Sequence, residues 1–442
     1  MKLLIEQGRV IDPENGVDQV TDLYIQGEEI VALGAPPSED YSPDRRINAL
    51  GRWVLPGLVD LSARLGEPGH EQKATIASET RAAASAGITT LVCPPDTSPV
   101  VDSPAQIELI NRRARQACGV RVHALGALTT GLKGQQLSDM AALKRAGALG
   151  MSQALRPMGS HLLLRRALEY AASHGITVYL HPIDWSLAGT GCAHEGAVAT
   201  RLGLPGIPEA AETAALGVLL ALTAQTGARI HICRLSTARG AAMVGRARED
   251  GLPVSADVCA HQLFLTEMDV ADFNSLCHVI PPLRTLRDRD GLRKAVASGI
   301  IEAICSDHQP QEADAKLAPF PATLPGMSTL ETLLPLVLRL AEDGVLSLSE
   351  AVRRVTAGPA RILGLKVGTL TVGDRADVTI VDPERGYGPG PDNWLSAGHN
   401  SAFFGWDFRP RVTHTLVAGR VIFEHFPAVK TPSPAPVTTG RP

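Results

Sequence analysis

Six stretches of the chain end in side chains able to do chemistry. They carry Asp60, Ser62, Arg64 and Gly66; Cys93 and Asp96; Gln153; His181; His231, Cys233 and Arg234; and Asp307, His308 and Gln311. Imidazoles and carboxylates brought together from separate elements are the ordinary material of proton transfer and of metal ligation. Arginine is different. It stays protonated in proteins and has no lone pair to give a metal, so Arg64 and Arg234 would repel a cation.

The elements that must position these residues can be read from periodicity. Short apolar, β-branched runs cover residues 53–61, 89–93, 120–127, 148–152, 177–181, 229–233, 253–259 and 301–306. Helical stretches follow most of them, for example 72–86, 103–117, 160–174 and 209–226. Strands alternating with helices imply a parallel sheet, and eight is the number that closes a (β/α)8 barrel. An open doubly wound sheet is the competing α/β reading, but its usual G-x-G-x-x-G turn is missing. In a barrel the active site lies at the C-terminal strand ends, where the six stretches fall.

Both chain ends alternate apolar and polar residues between turn signals, as short antiparallel strands do. At the C-terminal end the expected strands include 368–370, 376–381 and 412–422. The predicted organisation is a β-sandwich part at 1–53, a barrel at 54–366, a second sandwich part at 367–426 and a Pro/Thr-rich disordered tail at 427–442.

Bulk properties exclude several classes. The formal charge is −4 with both signs mixed along the chain, so there is no clustered basic face for nucleic acid. No apolar run is long enough for a membrane span, and the N-terminus lacks the apolar stretch of a signal peptide. Seven cysteines without a close pair read as reduced thiols in a cytoplasmic protein.

The order of motifs adds a resemblance. GLVDL at 57–61, VDS at 101–103, TTGLKG at 129–134, Ile280 with PPLRT at 281–285, Ser306-Asp-His308 and LET at 330–332 resemble a bacterial dihydroorotase of the amidohydrolase superfamily, from the N-terminus to about residue 425. The resemblance implies an amidohydrolase barrel carrying a small β-sandwich built from both chain ends. It also implies an active site that opens and closes a cyclic amide between two zinc ions. In that family the metals polarise the carbonyl and acidify a bridging water. The ligands are a D-x-H-x-H pair on strand one, a carboxylate on strand four, a histidine on each of strands five and six, and an aspartate on strand eight that also handles the proton.

The sequence departs from that pattern. Ser62 and Arg64 stand at the strand-one histidines, Gln153 at the strand-four carboxylate and Arg234 at the strand-six histidine. His181 and Asp307 alone remain, fewer than the three protein ligands a catalytic zinc takes. Substrate positions have changed too: Gly66 replaces an arginine, Asp96 and Ile280 replace asparagines, and Gln311 replaces a histidine. An anionic substrate would lose its arginine clamp and meet an added carboxylate at Asp96. Without metal, Asp307 needs another partner, and an ion pair with Arg64 or Arg234 is expected.

These departures point to a non-catalytic dihydroorotase-like subunit with no cofactor. The resemblance implies assembly with the catalytic subunit of aspartate transcarbamoylase in pyrimidine biosynthesis, and a homo-oligomer. Two other readings stand beside it. One is an active cyclic amidohydrolase with a single zinc on His181, Asp307 and His261; the other is a metal-free protein that binds a small anion through Arg64 and Arg234. His308 should point away from Asp307 by strand alternation. His231 is expected to serve the core or strand backbone, and Cys233 and Cys305 to be buried thiols.

Overall fold

The apolar run over residues 53–61 does not form one strand. In the computed structural model, which describes residues 1–425, it divides at Pro56 and Gly57. Trp53–Pro56 runs antiparallel to Val378–Asp382, whereas Leu58–Asp60 lies parallel to Ile88–Cys93. A Cβ on Gly57 would fall 2.3 Å from Thr89 Oγ1, so the two pieces can pass only where no side chain intervenes. The barrel thus begins at Leu58, and residues 54–56 belong to the sheet made by the chain ends.

All eight expected runs supply barrel strands. Strands two to eight are Ile88–Cys93, Arg121–Ala124 continued by Gly126–Ala127, Met151–Ser152, Val178–Leu180, Ile230–Ile232, Val254–Cys259 and Ala303–Cys305. Every pairing between them is parallel. A parallel bridge between Ala63 and His308 joins strand eight back to strand one. Its bonds are Arg64 N–H to the His308 carbonyl (2.9 Å) and His308 N–H to the Ser62 carbonyl (3.1 Å). The closure therefore holds the backbones of strands one and eight together at the mouth.

Helices start where capping chemistry permits. Ile76–Ser85 begins at Thr75, whose hydroxyl accepts from Ser78 N–H in a capping box. The Thr237 hydroxyl caps Ala238–Glu249 by accepting from Gly240 N–H, without a reciprocal bond, and each such cap is worth about 1 kcal/mol. The helix Glu209–Thr226 has the bounds expected from its sequence. Inside the barrel, Val59, Val92, Leu125, Tyr179, Cys259, Ala303 and Cys305 fill one buried cluster, so the interior is packed core rather than a pore.

The chain ends form one hydrogen-bonded sheet of eight strands. Its order runs from Arg420–Glu424 through Arg411–Val417, Val378–Asp382, Trp53–Pro56, Lys2–Asp12 and Val17–Gln26 to Glu29–Leu33, with Arg45–Asn48 also on Lys2–Asp12. The sandwich core includes Leu3, Ile5, Leu23, Val54, Val378 and Leu416. The expected strand at 368–370 is absent. Gly368 has φ +77°, where a Cβ would meet Thr356 backbone, and Leu370 N–H is taken by the Asp12 carboxylate at 2.7 Å. The segment assigned to a disordered tail lies outside the described residues. No helix among those described is long and apolar enough to cross a membrane.

Candidate functional site

Asp307 sits at the mouth, just beyond strand eight, and is 1% exposed. Both carboxylate oxygens are occupied by side chains of this protein. Arg234 Nη1 donates to Oδ1 at 3.0 Å, and Ser62 Oγ donates to the same oxygen at 3.2 Å. Gln309 Nε2 donates to Oδ2 at 2.8 Å. Arg64 Nη1 lies 3.7 Å from Oδ1. Burial would raise the Asp307 carboxyl, but Arg234 and then Arg64 outweigh it and bring it down to about 2. Burial works against the Arg234 charge as well, and Asp307 restores it. The expected ion pair is present, and both arginines share it.

The backbone here is strained. Asp307 has φ +47° and Arg234 φ +59°, conformations that cost a non-glycine residue on the order of 1–3 kcal/mol each. A second buried contact holds Arg234: its N–H donates to Asp257, whose other oxygen bonds His231 Nε2 at 3.1 Å. His231 Nδ1 meets Ser255 Oγ at 2.9 Å. The histidine expected to serve the core thus orients the carboxylate that fixes the Arg234 backbone. His308 turns away from Asp307, as strand alternation requires, and bonds Glu79 at 2.7 Å.

The substrate-side positions line a cavity of about 400 Å³ with Arg64. Asp96 is not the free carboxylate the sequence suggested, because Arg64 Nε and Nη2 both donate to its Oδ2, at 3.0 and 2.8 Å. Gly66 has φ +74°, and a Cβ there would fall 2.0 Å from the Ala74 carbonyl oxygen. That backbone has no room for the clamping arginine. Ile280 brings an apolar side chain to the wall, and Gln311 spends its amide N–H on the Pro325 carbonyl at 3.0 Å.

The remaining expected site residues stay apart. Gln153 accepts from Thr129 Oγ1 at 2.9 Å and donates to the Leu132 carbonyl at 3.1 Å, making no bond to Asp307. It lines a second cavity, of about 370 Å³, with His181. His181 Nδ1 bonds the Cys233 carbonyl at 3.0 Å, and burial and then Arg234 pull its pKa down to about 3, so it is neutral. His261 is buried without a hydrogen-bond partner on either ring nitrogen, and burial takes it down to about 4. Among the described residues, His181, His261 and Asp307 are not a group whose donor atoms gather within 4.8 Å. A zinc at the mouth would have to displace two guanidinium contacts from Asp307 and would find only the neutral imidazoles of His181 and His261, whose donor atoms do not gather with the Asp307 carboxylate. The residues present do not fit the metal centre that the resemblance implies.

Comparison with known proteins places this geometry. Residues 51–239 match the family model for dihydro-orotase-like proteins, and residues 321–423 match an amidohydrolase family model. A dihydroorotase-like protein of Pseudomonas putida is 50% identical over 95% of this chain and 99% of its own. The chain belongs to the dihydroorotase-like family. Another dihydroorotase-like protein, from Pseudomonas aeruginosa, is 48% identical over 96% of this chain and 100% of its own. A dihydroorotase of Syntrophotalea carbinolica is 40% identical over 96% and 99%. The L-hydantoinase (dihydropyrimidinase) of Arthrobacter aurescens superposes with a TM-score of 0.85 at 22% identity, covering 96% of each chain, and shows the amidohydrolase barrel with its β-sandwich.

Within this dihydroorotase-like chain, several residues that brace the site were not expected from sequence. Glu79 is fully buried and accepts from His308, from Ser396 Oγ at 2.6 Å and from Ala397 N–H at 3.0 Å. Glu212 receives four donors from Ser236 and Thr237. The Ser-Thr pair after Arg234 was a readable signal that this turn is held in place; its carboxylate partner, 24 residues earlier on another helix, was not.

Proposed function

We propose that this protein is a non-catalytic dihydroorotase homologue, kept as a structural subunit and partnered by the catalytic subunit of aspartate transcarbamoylase. One observation carries the first part: both oxygens of Asp307, the family's metal-binding and proton-handling aspartate, are held by Arg234, Ser62 and Gln309. Neither oxygen of a carboxylate engaged this way is free of a hydrogen bond, so a metal or a substrate proton would have to compete with these contacts. The same contacts weigh against an anion-binding role, because Arg64 and Arg234 already spend their charge on Asp96 and Asp307. The partner is supported by the family resemblance alone. A fold that loses its site retains its surfaces, and a barrel of this size can persist as a scaffold.

Mixing the purified chain with the transcarbamoylase subunit should give one larger species by light scattering coupled to size exclusion. The unfolding temperature should rise with partner concentration, since the partner binds the native state only. Two independent peaks at micromolar concentrations, with no thermal shift, would remove the partner from this reading while leaving the inactive site untouched.

A further inference from the structure

The barrel interior contains a second group of ligand-type atoms, made of residues other than the family metal positions, although Cys233 directly precedes one of them, Arg234. His231 and Cys233 come from strand six and its end, and Asp257 from strand seven. Their ligand atoms all lie within 4.8 Å of one another. His231 is 0% and Asp257 1% exposed, and Cys233, intermediate in exposure, packs against the interior cluster. We infer that His231, Cys233 and Asp257 form a binding site for a borderline-soft divalent cation such as zinc, bridging two adjacent barrel strands.

Three features support this. The donor set is one imidazole, one thiol and one carboxylate, all established zinc ligands. Bond lengths of about 2.0 Å to N and O and about 2.3 Å to S put tetrahedral ligands a little over 3 Å apart, and His231 Nε2 and Asp257 Oδ2 already stand 3.1 Å apart. The atoms not needed as ligands are pinned. Ser255 Oγ holds His231 Nδ1, and Arg234 N–H holds Asp257 Oδ1. Outer contacts of this kind fix ligand orientation and tautomer in metal sites.

The proton balance is simple. Cys233 releases its thiol proton to solvent. Neutral His231 changes tautomer, its single ring proton passing by exchange with solvent from Nε2 to Nδ1; Nε2 is then free to ligate and Nδ1–H donates to Ser255 Oγ, which can accept as well as donate. Thiolate and carboxylate together neutralise the dication, which makes its burial tolerable. A water would complete the fourth position.

Cobalt(II) added to the full-length, metal-stripped chain tests this. The expected result is binding of about one cobalt per chain with an intense near-ultraviolet thiolate-to-metal band, bleached by added zinc. The band should vanish in Cys233→Ser and weaken at least tenfold in His231→Gln, yet persist in His181→Ala. Zinc should also protect Cys233 of the wild-type chain from alkylation, read by peptide mass spectrometry, which requires no variant to fold. No thiolate band at saturating cobalt, or a band that survives Cys233→Ser, would overturn the inference. Metal binding lost in His181→Ala and kept in Cys233→Ser would place the ion at the mouth and contradict the proposed inactive site instead.

Discussion

Asp307→Asn should destabilise the protein by about 3–5 kcal/mol, the usual cost of removing one partner from a buried ion pair. The side chain of Arg234 is 5% exposed and would keep its charge with no carboxylate against it. Ser62 and Gln309 would lose an ionised acceptor as well. Arg64→Met should cost less, because that side chain is 21% exposed, its Nη1 stands 3.7 Å from Asp307 and it is anchored mainly by Asp96. Urea unfolding at neutral pH checks both, with the midpoint falling and the slope unchanged. The pH dependence has a fixed sign. The folded-state pKa of Asp307 is lowered from 3.8 to about 2. Its stabilisation is therefore complete above about pH 4 and is lost as pH falls towards 2, by about 2 kcal/mol for the ionisation alone. The gap between wild type and Asp307→Asn should narrow across that window. A gap below 1 kcal/mol at neutral pH would mean that the pair is not what stabilises the mouth.

Glu212→Ala should have a comparable effect for a different reason. Glu212 is 2% exposed; its Oε2 accepts from Ser236 N–H and Oγ at 2.8 and 2.6 Å, and its Oε1 accepts from Thr237 N–H at 3.0 Å and from Thr237 Oγ1. Arg284, buried beside it, donates to Ser236 Oγ at 3.1 Å. Alanine would leave these donors without an acceptor and a buried guanidinium without the carboxylate that does most to hold its charge. A loss on the order of 3–5 kcal/mol follows, because orphaned buried donors lose their full desolvation compensation. Glu212→Gln, which keeps one acceptor oxygen, should fall between wild type and alanine in urea midpoint. These contacts explain why the Ser-Thr turn persists beside Arg234. It caps the helix Ala238–Glu249 and anchors strand six whether or not the neighbouring position binds metal.

Much of this was legible in the sequence because it depends on pattern. Alternating short apolar runs and helices give the barrel, and eight runs become eight strands. Charge also reads well: Asp307 without a metal demands a cation, and Arg64 and Arg234 are its partners. What failed depended on local backbone geometry. Nothing in an apolar string shows that Pro56 and Gly57 switch the chain from one sheet to another. Nor does a Gly-Thr-Leu segment reveal that Gly368 takes a positive φ. Pairings across loops were equally silent. Asp96 read as a repulsive charge until Arg64, 32 residues away, folded against it. The partners of Gln153 were silent as well: its amide is bonded by Thr129 and the Leu132 carbonyl. The link from His231 through Asp257 to the Arg234 backbone requires neighbouring strands in register, His231 opposite Ser255.

The most direct test is turnover. The full-length chain, supplied with zinc, should be assayed for ring opening of dihydroorotate and for the reverse condensation, alongside Asp307→Asn and a dihydroorotase control. The predicted result is no rate above the protein-free blank in either direction, with wild type and Asp307→Asn indistinguishable. A zinc-dependent rate that disappears in Asp307→Asn would show that Asp307 still carries the proton, and that Arg234 and Arg64 do not close the site.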